Sequence, residues 1–435
     1  MRIKLLLLTI IIFTGKLYGQ AEVDFKTVES KTYAYYQAAQ WDSLIHIGKQ
    51  ANKNGIDYYY LNYRVAVAYF YKKKYRLASF YFQKALDLNF AASNDAFFAE
   101  LFHLSLVYDQ RNDLAEDIPL PEKSEGRDPM TRNVFVLLGG GGKMINFNKG
   151  QLKINPKPEF SELRYQNAVN YWGIAFSHQF NSAFNLGLSY TKLHFLLQTL
   201  IEDKNSQLLE SYMISQYNFA LLPLFTLDRY WQLKPVFSIA ITKGYPYGVV
   251  DTTHGIKDYS FYYYNENSFL VGLNVYRDFR YVKLGFNIGS SNYNKQKQFQ
   301  LGLNLTYFPF GNLNLYTFSA LSFKVDQGDE AVIIQQKVGV KVLSKLWLEG
   351  GGLFGHLTNY NDFNLALGYN IADNIDMIVL AKFIFTANHH LNFFVEGQFN
   401  HRYTYRKDDY GVDNHSETKI KYDQLNIEGG LLWKF

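Results

Sequence analysis

Histidines are the residues of this chain best suited to metal binding or acid–base chemistry, and two of the ten, His389 and His390, are adjacent in the segment TANHH. Metal ligands on a strand stand at positions i and i+2, because successive side chains point to opposite faces. Adjacent histidines would face opposite ways, so we expect no metal site there. The chain also lacks the H-E-x-x-H, G-x-S-x-G and phosphate-loop patterns, and no cofactor is expected.

A glycine-rich segment, GGGGK at 139–143, has the composition of a phosphate-binding loop. Its lysine is not followed by Ser or Thr, and no helical pattern comes next, so the segment does not fit that motif. We interpret these glycines, and GGG at 350–352, as strand positions where a missing side chain allows bending and close packing beside bulky neighbours.

Three further histidines, His194, His356 and His401, lie in strand-like regions where a Ser–His–acid arrangement is conceivable. One sequence cannot pair them across strands, so a hydrolase is the least favoured functional hypothesis. The chain has no cysteine, and we therefore expect no disulfide, thiolate zinc site, catalytic thiol or lipid-anchored N-terminus. A net charge of +5 without a long basic cluster gives no indication of nucleic-acid binding.

The first twenty residues, MRIKLLLLTIIIFTGKLYGQ, have the parts of a secretory signal. Arg2 and Lys4 supply a positive start, an apolar run follows, and cleavage after Gly19 would leave Gln20 first. The run is too short to span a hydrocarbon core of ~30 Å. We therefore expect residues 1–19 to be a cleaved signal peptide and the chain to be exported.

Residues 20–115 have the apolar spacing of helices and no proline. In the stretch 61–89, small and aromatic residues recur where two helices must cross: Ala66, Tyr69, Ala78, Phe82 and Ala85. This spacing resembles the tetratricopeptide repeat, a helix pair of 34 residues. Similar residues stand at that interval: Tyr35 and Tyr69, Trp41 and Tyr75, Ala51 and Ala85. The resemblance implies a surface that binds a protein segment; an ordinary helical hairpin with an aromatic core is the alternative.

Residues 116–131, EDIPLPEKSEGRDPMT, contain three of the nine prolines and are predicted to be a linker. From 132 to 435 the apolar period becomes two, as in Phe299, Leu301 and Leu303. The strand-like stretches often exceed ten residues, and Tyr and Phe cluster at their ends, where membrane interfaces hold aromatic rings. These features predict an antiparallel transmembrane β-barrel of about 14 strands, with 12 to 16 possible, in preference to a soluble β-sandwich.

The predicted connections alternate in length, as in outer-membrane barrels. Tight turns are expected at Asn181-Ser182 and at Tyr276 to Arg280. Long polar loops are expected at 147–163, 244–259 and 406–419. Three candidate strands near 361–370, 374–385 and 391–405 fit this alternation poorly, so one of them, or a neighbour, is expected to be misread.

The chain ends in NIEGGLLWKF. The pattern Glu428-x-Gly430-x-x-Trp433-x-Phe435 resembles the C-terminal signal of bacterial outer-membrane proteins, which implies recognition by the barrel-assembly machinery. The whole layout resembles outer-membrane proteins of the Bacteroidota that join tetratricopeptide-like helices to a C-terminal barrel. That resemblance implies contact with outer-membrane lipid and a periplasmic N-terminal domain.

Three functions follow from these expectations. The first is a non-enzymatic outer-membrane barrel whose periplasmic helical domain, residues 20–115, binds a periplasmic or envelope protein, as an anchor or accessory subunit of an envelope complex. The second is a porin-like channel for small polar solutes, since the inward positions are polar and of mixed charge: Lys283, Asn287, Asn304, Glu428 and Lys434. The third is the barrel-embedded hydrolase.

Overall fold

The computed structural model describes residues 24–118, 130–147, 158–251, 258–326, 329–362, 373–410 and 415–435. The predicted signal peptide, residues 1–19, lies outside these residues, and so does most of the predicted linker. The chain divides into two compact units, one ending at Ser105 and one beginning at Leu106.

Six helices are found in the described residues. They are α1 Phe25–Gln37, α2 Trp41–Lys53, α3 Tyr59–Tyr71, α4 Tyr75–Leu88, α5 Ala96–Tyr108 and α6 Asn112–Ala115. α1 and α3 begin at the 34-residue interval, and so do α2 and α4. The assignment of these helix pairs to the tetratricopeptide family stays a prediction. None of the described helices is both long and apolar enough to cross a membrane.

The core of the first unit forms where small residues bring helices together. The five residues predicted at the helix crossing are all buried: Ala66, Tyr69, Ala78, Phe82 and Ala85. The ring of Phe82 stacks on Phe102 at 5.8 Å between centroids and meets Phe98 edge-on at 5.3 Å. A Cβ on Gly48 would lie 2.3 Å from Cγ2 of Val65, so only glycine permits this close approach of α2 and α3.

Sixteen strands are found in the described residues. They are β1 Asn133–Ile145, β2 Phe160–Asn181, β3 Phe184–Asp203, β4 Gln207–Thr226, β5 Trp231–Gly244, β6 Tyr247–Asp251, β7 Asp258–Phe261, β8 Tyr264–Asp278, β9 Val282–Ser291, β10 Gln298–Tyr307, β11 Leu315–Asp326, β12 Asp329–Leu343, β13 Leu346–Phe354, β14 Asn374–Thr386, β15 Leu391–Asp409 and β16 His415–Lys434. All except β6 and β7 form one closed antiparallel barrel, which confirms the predicted fold class and strand number.

The first and last strands close the barrel. β1 pairs with β2 on one edge and with β16 on the other. The amide of Asn133 donates to the carbonyl of Phe435 at 2.8 Å, and the amide of Phe435 donates to the carbonyl of Asn133 at 3.0 Å. The final residue of the chain is therefore a member of the ladder that removes the last free sheet edges.

The outer face of the barrel is apolar and the inner face is polar. On β10, Leu301 and Leu303 are 37% and 59% exposed, whereas Gln300 and Asn304 are 0% and 7% exposed. A closed barrel satisfies its backbone groups internally and can present such a surface to lipid. The structure is therefore that of a membrane-spanning barrel rather than a soluble sandwich.

Tight turns join β2 to β3 at 182–183 and β8 to β9 at 279–281, as predicted, but Tyr276 to Asp278 belong to β8. The predicted loop 406–419 is wrong, because β15 continues to Asp409 and β16 begins at His415. These strand ends extend past the apolar belt, where an outer face has no need of apolar residues. β2 likewise begins at Phe160, inside the predicted loop 147–163.

Of the three uncertain segments, 374–385 and 391–405 belong to β14 and β15. Asn361 and Asp362 lie in the connection between β13 and β14, and the rest of 361–370 lies outside the described residues. The predicted loop 244–259 carries β6 and the beginning of β7.

Candidate lumenal site

The inner face of the barrel encloses the lumen, which is lined by polar groups. The five positions predicted to face inward all do so: Lys283, Asn287, Asn304, Glu428 and Lys434. The ammonium group of Lys283 donates to Oε1 of Gln232 at 3.0 Å. The lumen is thus hydrophilic and of mixed charge over much of its wall.

Two tyrosines cross glycines of a neighbouring strand and hydrogen-bond a glutamate on the strand beyond. A Cβ on Gly339 would lie 2.3 Å from the ring of Tyr316, whose hydroxyl donates to Glu349. In the same way, a Cβ on Gly140 would lie 3.0 Å from Cζ of Tyr171.

The hydroxyl of Tyr171 reaches Glu428. Gly140 and Gly142 belong to the GGGGK segment, and a Cβ on Gly142 would overlap the side chain of Asn426. The packing interpretation of that segment is therefore confirmed.

One level of the lumen carries a row of charges on consecutive strands. Glu349, Lys382, Glu396 and Glu428 are cross-strand neighbours on β13 to β16. Nζ of Lys382 lies 3.3 Å from Oε2 of Glu396. Three carboxyl groups and one ammonium group therefore line this arc of the wall.

The connection after β13 enters the lumen as an inner loop, residues 355–362. It begins at Gly355, whose φ of +131° favours glycine. Leu357 and Tyr360 are 0% and 1% exposed. They pack in one apolar cluster with wall residues from across the lumen, including Phe195 and Tyr212. The inner loop therefore fills lumenal space instead of extending from the rim.

Polar contacts hold the inner loop against β10 and β11. The side-chain amide of Asn359 donates to Gln296 at 2.7 Å and to Asp326 at 3.2 Å. Gln300 donates to the carbonyl of Asn361 at 3.0 Å and accepts from its amide at 3.2 Å. The inner loop, which connects β13 to β14, is thus hydrogen-bonded to β10, to β11 and to the residues just before β10.

A second segment, residues 111–118, lies at the rim where the short turns are found; we name it the strap. Oδ2 of Asp113 accepts from Oγ1 of Thr226 at 2.9 Å and from Nε2 of Gln232 at 3.1 Å. Glu116 pairs with Arg132, just before β1, at 3.1 Å. The strap therefore links the wall at β4 and β5 to the start of β1.

The strap is anchored by a buried ion cluster. Arg111 lies 3.0 Å from Asp113 and 3.3 Å from Asp278, and all three side chains are at most 10% exposed. Burial opposes ionisation of Asp113, but the charge and hydrogen bonds of Arg111 outweigh it and lower the pKa of Asp113 below its usual value. Asp113 is therefore ionised at neutral pH, and the guanidinium of Arg111 lies between the carboxyl groups of Asp113 and Asp278.

The upper part of the β15–β16 hairpin folds over the other rim. β15 pairs with β14 up to Tyr403, and beyond that its free edge pairs with β2 from Arg406↔Leu163 to Asp409↔Phe160. Leu163 and Ile420 pack in a buried cluster beneath it. The hairpin thus narrows the mouth at the rim opposite the strap.

The inner face of the barrel also borders a lumenal cavity of about 180 Å³. Its walls come from β2 to β5, the start of β8 and the β5–β8 and β9–β10 connections. Phe195 and Leu197 form an apolar side, and Arg164 lies among the polar lining residues. The cavity therefore offers both apolar and charged surface to a small molecule.

The histidines do not assemble a catalytic or metal site in the described part of the chain. His390 lies in the turn before β15 and contacts the carbonyl of Lys434 at 2.8 Å. His194 contacts Ser215 at 2.9 Å, whereas His401 contacts Asp423 at 2.7 Å. The serine and the carboxylate therefore contact two different histidines, His194 and His401. No group of three potential metal-ligating residues occurs among the described residues.

The residues of the predicted assembly signal lie on both faces of β16. The rings of Trp433 and Phe435 are exposed on the outer face, with centroids 4.8 Å apart. Glu428 and Gly430 alternate with them and face inward. Recognition of this strand by the assembly machinery stays a prediction.

Sequence reasoning missed the strap and the inner loop. The strap begins at the end of the predicted helical domain. Only the polar residues of the sequence RNDLA, at 111–115, distinguish it from the more apolar helices before it. The inner loop has a signal in HLTNYND, where asparagines and a tyrosine interrupt two strong strands. Neither segment reveals its partners, which lie far away in the sequence.

No protein-family model and no curated protein matches the chain. Solved barrels do match: the toluene transporter TodX of Pseudomonas putida has a TM-score of 0.46 and 7% identity, over 70% of this chain and 90% of its own. A FadL homologue of Pseudomonas aeruginosa has a TM-score of 0.45 and 8% identity, over 70% and 90%. A bacterial polysaccharide outer membrane secretin has a TM-score of 0.35 and 8% identity, over 69% of this chain and 98% of its own. Likenesses this weak support no conclusion on activity.

Proposed function

We propose that the protein is a gated channel for small solutes in the bacterial outer membrane. The observation that carries the proposal is that a segment of the chain, the inner loop, occupies lumenal space and is hydrogen-bonded to the wall. Asn359 and Asn361 of the inner loop form hydrogen bonds of 2.7 to 3.2 Å with the wall, and such bonds can be exchanged for water. A barrel that served only as an anchor has no need of a removable plug.

The wall behind the plug also supports passage. Inward-facing carboxylates, amides and a lysine line it, and Gly140 and Gly339 keep tyrosine rings close to the wall. A 14-stranded barrel with such a lining holds water or a small solute once a plug is withdrawn. In this proposal the short-turn rim, with the strap, faces the periplasm.

The test replaces the inner loop and its continuation, residues 356–372, by a four-residue turn. Phe354 and Met377 pair directly, so a short turn can connect β13 and β14. Purified wild-type protein in planar bilayers is expected to conduct rarely, and the variant to conduct steadily. Heat-modifiable migration on gels verifies that both barrels are folded.

The double variant Asn359→Ala/Asn361→Ala leaves the loop length unchanged and should conduct at an intermediate frequency. A folded loop-replacement variant that shows no conductance steps would overturn the channel proposal and favour an anchoring barrel.

A second candidate function is partner binding by the helical unit, as an anchor or accessory subunit of an envelope complex. It is favoured by an exposed aromatic group around a buried arginine. Cζ of Arg64 lies 5.2 Å from the ring centroid of Tyr33 and 5.6 Å from that of Tyr60. Both tyrosines are more than half exposed, and such aromatic-arginine groups are enriched where proteins bind one another.

Photo-crosslinking in cells tests this candidate. A benzophenone amino acid at Tyr33 or Tyr60 is expected to crosslink one envelope protein. The control position is Tyr71, which is 49% exposed but stacks on Trp41 outside this group. Equal crosslinking at all three positions, or none, would contradict a binding surface at Arg64.

A further inference from the structure

One wall of the lumenal cavity is apolar. Phe195 and Leu197 of β3 and Tyr212 and Ile214 of β4 form it, and the first three are at most 8% exposed. Pro246, from the connection after β5, lines the cavity as well. A ring or branched alkyl group would be desolvated on this wall.

The cavity is also lined by two polar side chains of β2, which require hydrogen-bond partners rather than an apolar group. Arg164 contacts Glu162 and the carbonyl of Tyr247 only at 3.4 and 3.5 Å. Its buried Nε has no hydrogen-bond partner among the described residues. Gln166 is 1% exposed, and its Oε1 likewise has no partner there. The cavity therefore lacks one acceptor for a guanidinium and one donor for an amide oxygen.

These two observations restrict the occupant. A neutral hydrocarbon would leave Nε of Arg164 and Oε1 of Gln166 without a hydrogen-bond partner, which is costly for buried polar atoms. An inorganic anion would leave the apolar wall unfilled. About 180 Å³ is below the ~300–1,000 Å³ of pockets for drug-sized ligands, so the occupant is small.

We propose that this cavity binds small amphipathic carboxylates with one aromatic or branched apolar group, as the solutes that the proposed channel carries. The carboxylate binds Arg164, and the apolar group lies against Phe195 and Tyr212. A hydroxyl or amino group beside the carboxylate would donate to Gln166. The proposal rests on the channel function for its biological meaning, but binding itself can be measured without conduction.

The test is equilibrium dialysis of radiolabelled phenylacetate against the full-length protein in detergent. Saturable binding at one site per chain is expected. Competition by unlabelled phenylacetamide, the uncharged isostere, should be at least about tenfold weaker, because charged hydrogen bonds are the stronger ones. Equal competition by the amide would overturn the proposal.

Substitutions locate the site. Arg164→Met and Phe195→Ala should each weaken phenylacetate binding about tenfold or more, as loss of a charged hydrogen bond or a buried ring predicts. Lys192→Met is the matched control, since Lys192 carries the same charge but packs on Tyr217 on the outer face. Gln166→Leu should weaken the binding of mandelate, which adds a hydroxyl, more than it changes the binding of phenylacetate.

Each result separates the two proposals. If Arg164→Met binds phenylacetate as tightly as Lys192→Met, the cavity proposal is wrong even where the channel conducts. If no variant conducts but Arg164-dependent binding persists, the site stands and the channel proposal fails. Folding of each variant is verified by heat-modifiable migration.

Discussion

At the scale of single residues, glycines determine how close side chains come to the wall. Gly339 and Gly140 each accommodate a tyrosine that reaches a glutamate two strands away. The sequence shows the glycines but not their partners, because a cross-strand contact depends on register. The packing role of Gly140 could be predicted from the missing phosphate-loop spacing, whereas the role of Gly339 and the identity of Tyr171 and Tyr316 could not.

We predict that Gly339→Ala destabilises the barrel by about 1–3 kcal/mol, the usual cost of overpacking. The added Cβ would lie 2.3 Å from the ring of Tyr316. Adding Tyr316→Leu should recover part of the loss. Urea unfolding in detergent measures both changes.

Gly397→Ala is the matched control, because a Cβ there meets nothing within 4 Å. Its unfolding midpoint should equal that of the wild type. A loss as large as that of Gly339→Ala would show that glycine flexibility, and not space, is what matters in these strands.

The terminal phenylalanine supports a second prediction. Phe435 forms two backbone hydrogen bonds with Asn133 and presents its ring on the outer face. Deletion of Phe435 is expected to lower the amount of protein in the outer membrane several-fold, as the assembly-signal hypothesis requires. Membrane fractionation with immunoblotting measures it.

Phe435→Tyr keeps an aromatic ring and both backbone bonds, so it should insert normally. Normal insertion of the deletion variant would refute the assembly signal and leave Phe435 as an ordinary end of the ladder.

At the scale of elements, the strap is the segment whose anchoring can be broken most selectively. Arg111→Met would leave Asp113 as a buried carboxylate without its counter-ion, a change that typically costs about 3–5 kcal/mol, whereas Asp278 would keep Lys283 at 3.8 Å. We expect the strap to detach rather than the barrel to unfold. The chain has no native cysteine, so a single Ala115→Cys, buried in the strap, reports detachment by its rate of maleimide modification.

Arg132→Met is the control for this experiment. Arg132 pairs with Glu116 but is 54% exposed, and such pairs contribute little. Modification of Ala115→Cys should accelerate strongly with Arg111→Met and little with Arg132→Met. Equal acceleration would mean that the buried cluster does not hold the strap.

The same cluster predicts a pH dependence. The pKa of Asp113 in the folded protein lies below its ordinary value of 3.8. The contribution of Asp113 is therefore complete above pH 3.8 and is lost as pH falls through the lower, folded-state value. The urea midpoint should fall in this range, and Asp113→Asn should reduce the fall; an unchanged profile in that variant would contradict the assignment.

Elements were predictable where the membrane imposes a pattern. Lipid requires the outer positions of Phe299, Leu301 and Leu303 to be apolar, so the period of two appears in the sequence. The pattern disappears in β15 and β16 above the apolar belt, and the polar composition of the hairpin there is the reason why the predicted loop 406–419 is wrong. The inner loop was unpredictable for a different reason: Asn359 and Asn361 are fixed by residues of other strands.

At the scale of the whole barrel, the inner loop lies inside the lumen, and the strap contacts inward-facing wall residues at one rim. We predict that the loop-replacement variant conducts more when Arg111→Met is added, because two obstructions in series limit flow jointly. Single-channel recordings of the two variants measure the difference. An identical conductance would mean that the strap does not obstruct the path.

Closure of the barrel by Asn133 and Phe435 also dictates when the protein can fold. The two residues that meet are the first and last of the second unit's sheet, so this contact has the greatest sequence separation available to the barrel. Contacts between residues far apart in the sequence form slowly. None of the earlier strands can take the place of β16 beside β1. Until β16 is in place, β1 and β15 therefore each keep an unpaired edge. Such an edge is a template for pairing with another chain, so the unfinished barrel is exposed to aggregation until β16 docks.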